Sequence, residues 1–177
     1  MTITPDTKDW TWVIERRCPE CGFDPLTIDR TQVGRLVAQN AATWADLLRG
    51  AAEIRRRPKP DVWSTAEYGC HVRDVYRLFL ERLDLMLTED APRFANWDQD
   101  ETAIANRYSE QDPATVAAEL VAAAAPLADR FNGVSGAEWD RTGNRSDGSH
   151  FTVDTFARYL LHDLVHHVYD VTGTPAR

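Results

Sequence analysis

Residues 160–170 read LLHDLVHHVYD and sit inside a longer apolar-periodic stretch that starts near Thr152 and stops at Gly173, with Pro175 just beyond. A glycine stop followed by proline is a helix end, so the spacing predicts one long C-terminal helix. At about 100° per residue, Val153, Phe156, Leu160, Leu164 and Val171 form one stripe. Thr155, Tyr159, His162, His166 and Tyr169 form another on nearly the opposite side, and Leu161, Val165 and Val168 add apolar surface on a flank. A helix apolar on most sides belongs in the middle of a helical assembly, with its histidine face at least partly enclosed. Buried imidazoles need partners. His162 and His166 are four apart and point the same way, and imidazole is the commonest side chain for holding a transition metal.

Working outward, three further helical patterns appear and no strand does. The first follows Asp29 as N-cap and carries Val33, Leu36, Val37, Ala41, Trp44, Leu47, Leu48 and Ala51 at helical spacing before Pro58. The second opens on a capping box, Ser64 with Glu67, and runs through Tyr68, Val72, Val75, Leu78, Phe79, Leu83 and Met86. Its second turn holds His71, in EYGCHVRD (residues 67–74). The third begins at Asp112 and Pro113 and continues through an alanine-rich run with Val116, Leu120, Leu127 and Phe131. Pro126 is expected to kink it, and its small side chains permit close helix approach. Long connections fall at about residues 89–111 and 132–151. The first contains WDQDE (residues 97–101), which lacks the glycine and terminal glutamate of a calcium loop and reads as a solvated acidic segment. Four helices with two long connections give an all-α four-helix bundle, whose sites are built from side chains on facing helices.

Composition narrows the function. The chain has 177 residues, 28 acidic against 20 basic, for a net charge of −8. That balance argues against nucleic acid and against an anionic membrane surface, and leaves a small molecule as the expected partner. The run Arg55, Arg56, Arg57 falls where the first helix should end, which its C-terminal dipole explains. No stretch approaches the ~18 apolar residues of a membrane span. MTITPDTKDW lacks a charged segment followed by an apolar one, so no secretory signal is read there and a cytoplasmic location is expected. Three cysteines then favour free thiols or metal thiolates over a disulfide framework.

The ligand reading takes His71, His162 and His166 as a three-histidine site that leaves metal positions open, the mark of a catalytic rather than structural metal. Asp163 and His167, also four apart, form a competing pair. It ranks lower because His167 projects toward the Phe156 and Leu160 side. Asp74, Asp163 and Asp170 are candidates to orient the ligand histidines. Because Asp163 replaces the glutamate of HExxH, the motif is not that of a zinc protease. Tyr68, Tyr159 and Tyr169 are candidate pocket groups, although amphipathic core tyrosines explain them equally well. A divalent metal on three neutral imidazoles would acidify a water or a small thiol near neutral pH.

One histidine on the second helix, an HxxxH on the last and four-helix spacing together resemble the DinB-like superfamily, which includes thiol-dependent transferases and mycothiol-dependent maleylpyruvate isomerases. The resemblance covers roughly Asp29 to Gly173. It implies an up-down-down-up bundle and a divalent metal, zinc or nickel, on the three motif histidines, here His71, His162 and His166. It favours a thiol-dependent, mycothiol-type transferase or isomerase with a low-molecular-weight thiol as cosubstrate. A metal-dependent hydrolase and a non-catalytic ligand-binding bundle are the alternatives.

The expected organisation is an N-terminal arm (1–28), the bundle (29–173) and a short tail (174–177). The arm carries WTWVIERRCPECGFDP (residues 10–25), where Cys18 and Cys21 form a CxxC. One CxxC is half a zinc knuckle or a redox pair, and an inert thiol pair packed by Trp10 and Trp12 is the third reading. Completing a zinc site would require Cys70, His150 or a partner chain. The alanine-rich helix is compatible with a homodimer.

Overall fold

The computed structural model describes residue 3, residues 9–50 and residues 52–176. Five helices are formed: α1 (Val33–Leu48), α2 (Thr65–Thr88), α3 (Gln99–Ala105), α4 (Pro113–Asn132) and α5 (Val153–Thr172). Three short strands, β1 (Arg93–Phe94), β2 (Thr142–Arg145) and β3 (His150–Thr152), make one small sheet. The four long helices form the bundle, with α4 packed along both α1 and α2, and α5 along the other side of both.

Their directions follow from which residues meet. A Cβ on Gly34, at the start of α1, would run into Asn132 and Ala128 at the end of α4, so α1 and α4 are antiparallel. Gly69, early in α2, lies against Leu48, the last residue of α1. Arg73 and Arg130, near opposite ends of the chain between them, pair with Glu119 and Asp84, so α2 and α4 run the same way. The His71 ring is 4.7 Å from that of His167, and the Phe79 ring is 4.5 Å from that of Phe156, so α5 runs against α2. The bundle is therefore up-down-down-up, the topology expected of the DinB-like fold. At its centre Asn40 ties three helices together: it donates to the Leu164 carbonyl at 3.0 Å and accepts from the Tyr76 hydroxyl at 2.6 Å.

Local chemistry sets the helix ends. Ser64 and Glu67 make the anticipated capping box, Asp112 caps Thr115, and Thr152 makes a reciprocal box with Thr155. Gly173 closes α5 at φ +66°, a left-handed conformation that suits glycine. The alanines of α4 work as expected: Ala117, Ala124 and Ala128 are buried, and the helix passes through Pro126 without interruption.

Four expectations need correction. Asp29 caps a 3₁₀ turn, Arg30–Gln32, rather than α1, which starts at Val33 and ends at Leu48; Ala51, read as part of that helix, lies outside the described residues. The arginine run lies beyond that end, and its members pair individually: Arg55 with Asp112, Arg56 with Glu53, Arg57 with Glu67. Strands exist where none was read, because β2 and β3 are a four-residue and a three-residue strand, too short for a period-2 signal. The acidic segment is no loop. Asp98 accepts from the amides of Asp100 and Glu101 and caps α3. Among the described residues, no helix is long and apolar enough to cross a membrane.

The arm belongs to the same core. Val13, Cys18, Cys21 and Phe23 are buried, and the 3₁₀ turn Thr11–Ile14 rests on α5. The α5 C-terminus returns the contact, since the Ala176 amide donates to the Cys21 carbonyl at 2.7 Å.

Glu67 is a charged group that α2 carries into the core. It is buried, accepts from the Ser64 amide and hydroxyl, and receives the Arg57 guanidinium on both oxygens. Burial alone would raise its pKa, but the Arg57 and Ser64 hydrogen bonds outweigh that and hold it below the usual glutamate value. A depressed carboxylate pKa gives stability that is present above the unfolded value and lost as pH falls through the folded one. Glu67→Ala should therefore lower unfolding free energy by about 3 kcal/mol at neutral pH, since it strands Arg57 and a helix cap. The gap between wild type and variant in urea melts should shrink below about pH 4. An unchanged gap would mean that the ion pair contributes nothing.

Candidate metal centres

Helical geometry places two pairs of potential ligands on adjacent faces of α5: His162 with His166, and Asp163 with His167, each four residues apart. They are separated by about 100°, so they look in different directions. His71 goes to the second pair. Donor atoms of His71, Asp163 and His167 all lie within 4.8 Å of one another. Donor atoms of Cys18, Cys21, His162 and His166 do the same in a second group. The three-histidine set read from the sequence is thus divided between two clusters. His167 reaches His71 because α2 crosses α5 on the face that had been assigned to apolar packing.

The first cluster is chemically incomplete as bare protein. Both ring nitrogens of His71, Nε2 of His167 and Oδ2 of Asp163 are buried and find no hydrogen-bond partner among the described residues. Each such atom costs about 1–3 kcal/mol. His167 Nε2 is 3.5 Å from Asp163 Oδ1, long for a good hydrogen bond. It is close to the spacing of about 3.4 Å between two ligand atoms that share a tetrahedral cation at ~2.1 Å. The other nitrogen, Nδ1, is 2.9 Å from Asp170 Oδ2. A carboxylate on Nδ1 fixes the tautomer with a lone pair on Nε2, the arrangement metal-ligating histidines use. The residues present fit a divalent cation held by two imidazoles and one carboxylate.

Electrostatics agree. Burial pushes the His71 pKa down to about 3, with His167 adding to the effect, so His71 is a neutral donor at physiological pH. Burial also opposes charge on His167, but Asp163 and Asp170 outweigh it and raise its pKa. Asp163, despite its burial, is held ionised by that same imidazole. A cation entering here replaces the His167 proton as the counter-charge of Asp163.

The walls of this cluster are aromatic. Trp97 stacks on His71 at 5.3 Å with the planes 13° apart, Trp63 lies on it at 5.2 Å, and Tyr68 packs on His167 at 5.2 Å. Together with α2, α5 and the arm they bound a cavity of about 760 Å³, within the range of small-molecule sites. Deeper along α2 the cavity meets two guanidinium groups. Arg145 is engaged by Asp147, Ser149 and Tyr159. Arg82 is buried, donates to the Ala95 carbonyl at 2.7 Å and lies over the Phe94 ring; Glu81 and Asp147 act on it from a distance, and among the described residues no carboxylate forms an ion pair with it. Burial, reinforced by Arg145, lowers its pKa to about 10, which still leaves it charged.

The remaining candidates fall as follows. Asp170 faces both clusters, 2.9 Å from His167 and 3.6 Å from His166 Nε2. Asp74 orients neither histidine: Arg73, Arg77 and the Tyr108 hydroxyl occupy it. Tyr68 and Tyr159 line the cavity, whereas Tyr169 packs beside His166 outside it. Cys70 is buried near Gln111, and His150 is exposed and bonded to Asn144, so neither completes the CxxC. The donor atoms that lie beside the two sulfurs are those of His162 and His166. Sequence reasoning missed Trp97, Trp63 and Arg82, because isolated aromatic and basic residues carry no spacing signal. The Asp163–His167 spacing was visible but ranked second.

A family model for the DinB superfamily matches residues 34–171. The chain belongs to that superfamily. Among solved structures, YfiT from Bacillus subtilis, described as a probable metal-dependent hydrolase with an unusual four-helix bundle topology, superposes with a TM-score of 0.70. It is 15% identical, and the match covers 89% of this chain and 92% of that one, a likeness of fold. No curated protein matches the sequence.

The geometry separates ligands from the group that orients them. His71→Ala and Asp163→Ala should each remove one equivalent of bound divalent metal, measured by elemental analysis after dialysis. Asp170→Asn should retain it with affinity lowered about 10- to 100-fold in a chelator competition. Metal content unaffected by both ligand changes would rule the cluster out.

Proposed function

We propose that the chain is a divalent-metal-dependent enzyme, with the metal held by His71, Asp163 and His167 at the wall of the cavity, and that it hydrolyses a small anionic substrate. The observation that carries this reading is the convergence of His71, Asp163 and His167, whose buried ring nitrogens and Asp163 Oδ2 find too few hydrogen-bond partners among the described residues, on the wall of a half-open cavity. Three protein ligands are one fewer than a tetrahedral structural site needs, and two histidines with a carboxylate is a donor set that hydrolytic zinc enzymes use. A cation bound there supplies Lewis acidity, lowering the pKa of a small nucleophile and polarising the group under attack.

The protein's own residues supply the rest. Asp163 offsets one unit of the cation's charge, and Asp170 holds His167 in the productive tautomer. Trp97 and Trp63 shield His71 from solvent, so that charges in the cavity interact strongly. Arg82 is an anchor for a carboxylate or phosphate group on the substrate, because a buried guanidinium without an acidic partner is satisfied best by an anion. Arg145, held by Asp147, adds to the positive field while leaving the Tyr159 hydroxyl beside it. That hydroxyl can orient a polar group of the substrate.

Thiol transfer is the neighbouring chemistry, in which a low-molecular-weight thiol takes the place of water. The two are separated by a screen of the metal-loaded protein against anionic esters and amides and against electrophiles, each with and without added thiol. Hydrolysis without thiol, abolished by chelator and by His71→Ala, is expected. Turnover that appears only with thiol would reassign the nucleophile. Arg82→Gln should raise KM for the anionic substrate at least 10-fold, and much less for a neutral analogue. Equal effects on both would refute the anion-anchor role.

A further inference from the structure

The second cluster has a different character from the first. Cys18, Cys21, His162 and His166 are all buried, and their four donor atoms lie within 4.8 Å of one another. The arm builds the thiol half as a tight turn. The Gly22 amide donates to the Cys18 carbonyl at 3.0 Å and the Cys18 amide to the Phe23 carbonyl at 2.8 Å, with Gly22 at φ +80°. An L side chain at Gly22 would be strained there and would crowd the Ala176 carbonyl. The turn delivers both sulfurs to α5. His166 Nδ1 is 3.8 Å from Cys18 Sγ, while its Nε2 faces Asp170 and Glu20 at 3.6 and 3.7 Å. His162 Nε2 is buried and has no hydrogen-bond partner among the described residues. Each imidazole thus brings a ring nitrogen within 4.8 Å of both sulfurs.

We infer that Cys18, Cys21, His162 and His166 form a closed structural zinc site that clamps the N-terminal arm onto α5. Two sulfurs and two nitrogens complete a tetrahedral shell with no protein-free position, the composition typical of structural zinc. Two thiolates neutralise the divalent charge, so the filled site is a neutral unit that a buried location tolerates. The pair of spacings, C-x₂-C and H-x₃-H, is that of a zinc knuckle whose halves lie at opposite ends of the chain. Redox chemistry fits less well, since a disulfide between the two cysteines would leave the facing imidazoles without their partner.

The surroundings seal it. Trp10 lies over His162 at 5.2 Å and edge-on to His166 at 4.9 Å, and Phe23 meets His162 at 5.9 Å. Trp10 and Glu20 from the arm also line the cavity. The clamp therefore fixes one wall of the pocket without supplying a reacting group. This assignment does not depend on the hydrolytic reading, because it concerns different ligands.

Cobalt(II) provides the test in the purified full-length protein. Wild type stripped of metal and titrated with cobalt should take up one equivalent showing thiolate-to-metal charge transfer in the near ultraviolet and the intense visible bands of a tetrahedral ion. That signature should survive His71→Ala and vanish in Cys18→Ser, Cys21→Ser. In wild type, zinc should slow modification of both thiols by a maleimide at least 10-fold and protect the arm from limited proteolysis. Cobalt bound without thiolate bands, a Cys18–Cys21 disulfide in the protein as isolated, or thiol reactivity indifferent to zinc would each overturn the clamp. Because the spectrum and the thiol protection are read on wild type, a variant that fails to fold cannot decide the outcome. Loss of hydrolysis in His71→Ala with an intact cobalt–thiolate signature would show the two sites to be independent.

Discussion

The architecture depends on imidazoles buried on α5, two of whose nitrogens, Nε2 of His162 and Nε2 of His167, have no hydrogen-bond partner among the described residues. A buried polar atom without a partner destabilises the fold, and α5 carries several within two turns. Helical periodicity sorts them: positions 162 and 166 face the arm, positions 163 and 167 face α2, and Asp170, one turn on, touches both histidines of the HH pair. The arm and α2 each bring further donors to that helix, Cys18 and Cys21 on one face and His71 on the other. The remainder of the bundle holds α2 at that distance. Small residues let α4 close against α1 and α2, and Asn40 pins the middle of α5 through the Leu164 carbonyl.

The two clusters differ in what they leave over. With Cys18, Cys21, His162 and His166 the donors are four and the charges cancel. With His71, Asp163 and His167 the donors are three and a net positive charge remains. The first arrangement stabilises, because nothing further needs to bind. The second invites a ligand, and the cavity beside it has the aromatic walls and the buried Arg82 to receive one. Shared Asp170 means that its two oxygens are divided between the sites, so a shift of either histidine is felt by the other.

Much of this was legible in the sequence, and the limits have physical causes. Ser64, Asp112, Thr152 and Gly173 fixed helix ends because caps are local chemistry, satisfied within four residues. The same locality explains the miss at Asp29, where the cap was real but closed a 3₁₀ turn. Up-down-down-up topology came from family likeness, since connection lengths alone allow several orders. The histidines were found, but their grouping was not. Spacing says that two residues share a helix face; only the crossing of a second helix says which face it meets. His71 reaches His167 rather than His166 because α2 lies about 100° round α5 from the arm, a rotation that no local pattern encodes. The CxxC failed for the converse reason: its partners lie more than a hundred residues away, so the half-knuckle looked incomplete.

The adjacent placement of the two sites carries one more consequence. Trp10 packs against His162 and edge-on to His166 and also borders the cavity, and Glu20 sits between the cysteines in sequence and faces His166 in space. An arm held only by apolar packing would leave that wall to open and close, because the segment through residues 15–20 has mostly exposed or half-buried side chains and only short-range backbone hydrogen bonds. The proposed zinc clamp would convert this weak edge into a fixed one while adding no reactive group to the pocket. Precise shaping of a binding cavity by a segment with little core of its own demands a local staple of this kind. Under that proposal the open cluster could keep its unsatisfied coordination, since the stability needed to hold its wall in place would come from the closed cluster beside it.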